Sequence, residues 1–138
     1  MSINEVLRPS DLTAELLDAI FEPTDLEVRR DNDGDLVVTR GVSCYVMQTA
    51  ENERLMLMTF VGVKEEIDRA AKLEFVNRVN NDISTVRAHV NERESIVFDY
   101  HIPIRGGISA EAIVEATRFF LLASAHAIDR CDQDDIVR

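Results

Sequence analysis

The sequence is poor in cysteine and has no long apolar run, and each shortage excludes a class of protein. Its two cysteines, Cys44 and Cys131, have no short spacing that would suggest a disulfide framework or a metal knuckle. No uninterrupted apolar stretch is long enough to cross a bilayer. The amino terminus lacks the basic segment and apolar run of a secretory signal. We therefore expect reduced thiols and a cytoplasmic location.

Basic side chains are also scarce relative to acidic ones. Fifteen Lys and Arg residues stand against 26 Asp and Glu residues, which gives a formal net charge of −11. This charge repels phosphate backbones and anionic lipid headgroups at long range, so we expect neither nucleic acid nor a membrane surface as a partner. Acidic residues accumulate near the carboxyl end, as is typical of a solubilising tail. We expect residues 132–138, like residues 1–9, to be loosely ordered.

The length of 138 residues is that of one domain with a core that needs no disulfide. Periodicity predicts helices over residues 10–22, 64–81 and 109–130, with Ser10 available as the first N-cap. Alternation predicts three strands before the second helix and two after it, with Gly41 at a bulge or bend. The sequence thus predicts a single α+β domain, an antiparallel sheet flanked by helices in the order α-βββ-α-ββ-α.

The strand that follows a predicted turn at residues 50–53 is apolar on both of its faces. One face carries leucines, and the other carries methionines and a phenylalanine; these residues are Leu55, Leu57, Met56, Met58 and Phe60. Such a strand is expected where something covers the sheet on each side.

The last two strands have a register that the sequence itself specifies. A turn centred on Arg93 sets Arg87 opposite Asp99 on one face. It also aligns the apolar residues on the other face, which we predict to be the core side: Val86, Ala88, Phe98 and Tyr100. We expect the Arg87–Asp99 pair to lie on the less buried face and to contribute at most about 1 kcal/mol.

None of the patterns that suggest chemistry survives a test of its spacing. Aligning the Asp31–Asp35 turn with an EF-hand loop places Arg29 and Arg40 at ligand positions, so a hairpin turn is the better interpretation. Cys44 lies in no nucleophile signature. The three histidines, His89, His101 and His126, are dispersed, and the glycine pair after Arg105 lacks the lysine of a phosphate loop. We expect no enzyme activity, no metal and no cofactor.

The last helix carries apolar residues outside its core-facing stripe. Phe119 and Leu122 point to the opposite flank, beside small alanines. Similarly displaced residues occur on the other helices. One interpretation is that the domain wraps these helices on two sides, with Leu17 and Phe21 of the first helix covering the patch; another is that scattered apolar groups mean nothing. The alternative is a self-association or partner surface, for which the candidates are Phe119, Leu122, Ala116, Ala123, Leu73 and Val76. We predict a homodimer with Phe119 and Leu122 in or beside its interface.

Two segments carry a resemblance to a known family. The element order is similar to the type III secretion chaperone-like fold, and within that fold residues 75–80 (FVNRVN) and 98–109 (FDYHIPIRGGIS) resemble the YbjN family of bacterial sensory transduction regulators. The resemblance covers most of the chain by element order and about residues 70–110 by sequence. It implies one YbjN-like domain over residues 1–138, a bacterial source and dimers, and it implies no catalytic residue.

These observations favour a non-enzymatic binding or regulatory module that acts through protein–protein contacts. The alternative is a type III secretion-type chaperone that holds an effector segment, by adding it to the sheet edge or by filling apolar grooves.

Overall fold

A six-stranded antiparallel sheet forms the centre of the computed structural model, which describes residues 5–49, 51 and 53–138. The helices are α1 (Ala14–Phe21), α2 (Arg69–Asp82) and α3 (Ala110–Cys131). The strands are β1 (Val6–Leu7), β2 (Glu27–Arg30), β3 (Leu36–Arg40), β4 (Val42–Gln48), β5 (Arg54–Val61), β6 (Arg87–Val90), β7 (Ile96–Pro103) and β8 (Ile108–Ser109). The sheet order is β2-β3-β4-β5-β7-β6, and β1 pairs with β8 in a separate two-stranded sheet.

The predicted α+β class with a helix-flanked antiparallel sheet is confirmed, but four strands of the six-stranded sheet precede α2 instead of three. Gly41 has a φ of +77° and reverses the chain between β3 and β4, which pair antiparallel. Glycine adopts a φ of this sign readily, whereas residues with a side chain rarely do. The expected bend is present at Gly41, and it separates two paired strands. Residues 50 and 52 of the predicted turn at 50–53 lie outside the described residues.

All three helices pack against one face of the sheet, which we call the inner face. Phe75 of α2 stacks on Phe98 of β7 with ring centroids 6.1 Å apart, and α3 contacts β3 and β4. Leu17 and Phe21 of α1 belong to the same buried cluster, with Phe21 fully buried. The interpretation that they cover Phe119 and Leu122 is therefore wrong, because both α1 residues are used by the core. Within the described ranges, none of the helices is long and apolar enough to span a membrane.

Side-chain caps define where the helices begin. Thr13 Oγ1 accepts a hydrogen bond from the Leu16 amide at 3.1 Å and starts α1. Ser10, the predicted cap, lies instead in a 3₁₀ turn at Pro9–Asp11. Asp68 caps α2, which begins five residues later than predicted, and Ser109 caps α3 as expected. Each cap satisfies an amide that has no partner within the helix.

Both ends of the described chain make specific contacts, so the expectation of loosely ordered ends was wrong there. Leu7 is buried and lies in β1, which pairs with β8. Asp132 accepts hydrogen bonds from the amides of Ile136 and Val137, and Ile136 is 2% exposed. The buried side chain of Ile136 thus holds the acidic tail in place, which the acidic composition of the tail did not predict. Residues 1–4 lie outside the described residues.

The predicted register of the second hairpin is confirmed. Arg87 pairs with Asp99, and Ala88 pairs with Phe98. Tyr100, predicted to face the core, is instead 39% exposed. The reason is that β6 begins opposite Asp99, so Tyr100 lies beyond the end of β6 and borders a surface pocket.

The free edge of β6 is closed by a side chain of α2. Asn80 Nδ2 donates to the Ala88 carbonyl at 3.0 Å, and the Ala88 amide donates to Asn80 Oδ1 at 2.9 Å. The amide side chain thus replaces one residue of a neighbouring strand. An edge strand with free backbone groups invites pairing with other chains, so this contact protects the sheet on one side.

We expect Asn80→Ala to lower the free energy of unfolding by about 1–2 kcal/mol, because it leaves an edge amide and carbonyl without their partner. Asn80→Asp should cost at least as much, because a carboxylate cannot donate to the Ala88 carbonyl. The matched control is Asn77→Asp, at an exposed position of the same helix. Urea denaturation that gives equal stabilities for Asn80→Asp and Asn77→Asp would contradict this assignment.

Candidate functional site

An apolar groove runs along α3 at the predicted patch. Phe119 is 55% exposed and Leu122 is 70% exposed. Both line a groove of about 410 Å³, whose other walls are Asp82, Ile83, Ser84, Thr85, Ala123 and His126. An adjoining pocket of about 130 Å³ shares Thr85 and Phe119 and is completed by Tyr100, Ala116 and Phe120. We call the two together the α3 groove.

The structure brings four of the six predicted interface residues to the α3 groove. Phe119, Leu122 and Ala123 line its larger part, and Ala116 lines the smaller. Leu73 of α2 is 43% exposed but lines neither pocket, and Val76 is 7% exposed, so it offers little surface to a partner. Helical periodicity misplaced Val76 because α2 contacts both β6 and α3 and is buried over a wider arc than one stripe.

Tyr100, Ile83 and Thr85 belong to the α3 groove, and sequence reasoning did not place them there. Ile83 ends α2 and Thr85 lies in the connection to β6. The alternation of β7 had placed Tyr100 in the core. A strand pattern shows which face a residue occupies, but it does not show where the partner strand ends, and that end decides whether the face is covered.

The sheet carries a polar cluster around Asp99 on the face opposite the helices. Arg87 Nε donates to Asp99 Oδ1 at 2.7 Å, and Arg87 Nη2 donates to Oδ2 at 2.6 Å. The hydrogen bond with Asp99 raises the pKa of Arg87. His89 Nδ1 and His101 Nε2 lie 4.0 Å and 3.9 Å from Asp99 Oδ2. The expectation of dispersed histidines was therefore wrong for these two, since alternation along β7 puts His101 beside Asp99 and the hairpin brings His89.

This cluster is a structural ion pair. Asp99 is 3% exposed, although the pair was predicted to lie on a less buried face. Both carboxylate oxygens are used by the guanidinium, and neither histidine is within hydrogen-bond distance of them. A cation placed here would meet the positive charge of Arg87. A buried carboxylate needs a positively charged hydrogen-bond donor such as Arg87. Losing this pair should therefore lower the free energy of unfolding more than losing an exposed pair would.

The Asp-rich turn between β2 and β3 is explained by backbone geometry. Carboxylate oxygens of Asp31, Asp33 and Asp35 lie within 4.8 Å of one another. Asp31 Oδ1 accepts hydrogen bonds from the Asp33 and Asp35 amides at 2.9 Å each. The β6–β7 turn repeats this arrangement with a neutral side chain, Asn91, which accepts from Arg93 and Ser95. Because an uncharged amide has the same role, the geometry of the first turn requires no metal ion.

Neither cysteine is placed for nucleophilic chemistry. Cys44 and Cys131 are unpaired and buried. Burial raises the pKa of the Cys44 thiol to about 12, and it also raises the pKa of Cys131. The reactive form of cysteine is the thiolate, so these thiols are inert in the folded chain.

We expect Arg87→Ala to lower the free energy of unfolding by about 1–3 kcal/mol, because it strands a buried carboxylate. Asp99→Asn should cost less, since it removes the charge along with the need for a partner. Arg40→Ala is the matched control, because the Arg40–Asp25 pair is more than half exposed on both sides. We expect that control to cost much less, because an exposed ion pair contributes little to stability. Equal losses for Arg87→Ala and Arg40→Ala, measured by urea denaturation, would contradict the structural role of Asp99.

We also expect calcium and zinc to leave the thermal unfolding midpoint unchanged. A metal that binds the folded state raises the midpoint by mass action. A rise of several degrees at micromolar metal, lost in Asp31→Asn, would contradict the assignment of the Asp31–Asp35 segment as a turn. The measurement is thermal unfolding followed by circular dichroism, with and without metal.

Comparison with known proteins gives one family and two similar structures. The family model described as "YbjN: Putative bacterial sensory transduction regulator" matches residues 13–133. The crystal structure of YbjN from E. coli, described as "a putative transcription regulator", is similar with a TM-score of 0.75 and 10% identity, over 92% of this chain and 96% of that chain. A chain of the HopA1–SchA chaperone–effector complex is similar with a TM-score of 0.53 and 17% identity, over 81% of this chain and 88% of that chain. No curated protein sequence matched.

The two structural likenesses show a shared fold, and the family match covers most of the sequence. It includes both segments on which the resemblance rested, residues 75–80 and 98–109. The chain therefore belongs to the YbjN family.

Proposed function

We propose that this protein is a non-enzymatic regulatory module that acts by binding another protein in the α3 groove. The observation that carries the proposal is the exposure of Phe119 and Leu122, 55% and 70%, on the wall of a groove that α1 leaves uncovered. Clustered apolar groups at a surface mark interaction sites, and an aromatic anchor at such a site supplies much of the binding energy.

The partner segment should carry two or more large apolar side chains and basic residues. The apolar side chains would fill the two pockets of the groove. Basic residues are favoured by the net charge of −11 and by Asp82, which lines the groove. Complementary charge speeds association and selects among partners.

Three further points support a binding role over catalysis. The family is described as sensory transduction regulators. Among the described residues, the histidine pair beside Asp99 makes no hydrogen bond to it, and both thiols are buried. Unpaired buried cysteines also fit the reducing cytoplasm, where we place the protein. The proposal includes a homodimer, because two-fold dimers are the commonest soluble oligomers.

A second candidate is a chaperone that holds an effector segment. It is favoured by the fold shared with a chain of a chaperone–effector complex. Asn80 occupies the edge of β6, so an added strand would have to pair with the opposite edge, β2. An effector gene beside this gene would favour the chaperone, and a regulatory partner gene would favour the first proposal.

The groove can be tested with a labelled amphipathic peptide of about 16 residues, with leucines at i, i+3, i+4 and i+7 and lysines elsewhere. Fluorescence anisotropy should show binding to the wild type, and Phe119→Asp with Leu122→Asp should weaken it at least about 100-fold. The added carboxylates would attract lysines, so a loss of affinity must come from the apolar contact.

The charge-matched control is Met58→Asp with Phe60→Asp, on the opposite side of the sheet. We expect this double variant to keep the wild-type affinity. A peptide with glutamate in place of lysine should bind more weakly to every form. Equal affinity of the lysine peptide for the groove variant and the wild type would contradict the proposal.

A further inference from the structure

The sheet has a second apolar face on which no element of the described chain packs. Side chains alternate along each strand, so those between the core positions point to the outer face of the sheet. The large apolar residues at its centre are Tyr45, Met47, Met56, Met58 and Phe60. None of these five belongs to the buried cluster formed by the inner face and the three helices, nor packs against it.

The outer face is broad, and the residues hidden on it are Asp99 and two valines. Phe60 is 51% exposed, and the other four central residues are partly exposed. Val37 and Val97 are buried on this face between their larger neighbours, without joining the core cluster. No cavity wall among the described pockets contains Tyr45 or any of the three methionines. The pockets on this face lie at its edges, beside Phe60 and around Glu27, Arg29 and Thr39. A broad apolar centre of this kind suits another sheet face better than a single anchoring side chain.

The outer face carries few of the carboxylates of the chain. At the outward positions of the six strands, the acidic residues are Glu27 and Asp99, although the whole chain has 26, and the basic residues are Arg29, Arg54 and Arg87. Asp99 is neutralised by Arg87. Two molecules of net charge −11 repel each other, so contact is least unfavourable through the face that carries the fewest carboxylates.

Two polar pairs of the outer face already make their hydrogen bonds within one protomer. Thr39 Oγ1 and Ser43 Oγ are hydrogen-bonded to each other at 2.7 Å. Asp99 accepts both of its bonds from Arg87. Removing water from a polar group costs little when its hydrogen bonds are already made. This face can therefore be covered by an apolar partner without leaving these groups unpaired.

The area of the outer face approaches what a stable dimer needs. Neighbouring strands lie about 4.8 Å apart, and each strand extends about 3.4 Å per residue. The six strands therefore cover a flat area of about 600 Å². A stable interface buries roughly 800 Å² of accessible surface per partner, and accessible surface exceeds a flat footprint because side chains project from it.

We propose that a second copy of this chain docks on the outer face, sheet against sheet about a two-fold axis. The inference rests on the homodimer of the proposed function and assigns its contact to the side of the sheet away from the helices. The α3 groove then stays open on each protomer for a different partner. The sequence had placed Phe119 and Leu122 in or beside the dimer interface, and the experiment decides between the two faces.

Sedimentation equilibrium of the full chain, up to about 1 mM, tests the assignment. We expect a dimer for the wild type and for Leu122→Asp. Met58→Asp should raise the dimer dissociation constant at least about 100-fold, because a two-fold interface contains the substituted residue of both protomers and so buries two carboxylates. Circular dichroism and urea denaturation establish that each variant is folded. If Met58→Asp does not fold, Met58→Gln replaces it, since it keeps the shape without a charge, and it should weaken the dimer at least about tenfold.

A monomeric wild type, a dimer dissociated by Leu122→Asp, or a folded Met58→Gln with the wild-type dissociation constant would each overturn the inference. These outcomes leave the peptide-binding test of the α3 groove untouched. A dimer through the outer face with no peptide binding would instead refute only the proposed binding of a partner in the α3 groove.

Discussion

Strand β5 imposes the constraint on which the rest of the structure depends, because it is apolar on both faces. Its inner residues Leu55 and Leu57 are fully buried under the helices. Its outer residues Met56, Met58 and Phe60 have no covering element in the described chain. Three helices cover the inner face. The last of these, α3, also carries two apolar side chains outside the core, Phe119 and Leu122. The fold therefore exposes two apolar surfaces on opposite sides, which is the basis for assigning one to a second copy and the other to a partner.

Two polar contacts keep these apolar surfaces from becoming sites of uncontrolled association. Asn80 occupies the backbone groups at the β6 edge, so the sheet is not extended by a foreign strand on that side. Arg87 neutralises Asp99 and lets the outer face carry a carboxylate without an exposed negative charge. Adaptable methionine side chains at its centre then suit contact with another protein surface. The acidic remainder of the surface opposes contact between copies through other faces.

Periodicity and turn chemistry predicted the three helices, the antiparallel sheet and the second hairpin register, because these depend on residues close in sequence, but they missed the short strands β1 and β8. The Arg87–Asp99 pairing follows from alternation around one turn. Its burial could not be predicted in the same way, because it depends on side chains from strands that are distant along the chain. Likewise, helical spacing identified Phe119 and Leu122 as surplus to the core, but it misjudged Leu17, Phe21 and Val76. Those residues are covered by elements whose placement no local pattern encodes.

NMR can test directly whether a second copy covers the outer face in solution. The methyl groups of Met47, Met56 and Met58 lie on that face and can be observed by NMR after selective ¹³C labelling. If the outer face is the dimer contact, these signals should shift together as the protein is diluted through its dissociation constant, while the signals of Leu122 methyl groups stay constant. Methionine signals that do not change on dilution, with Leu122 signals that do, would contradict the account.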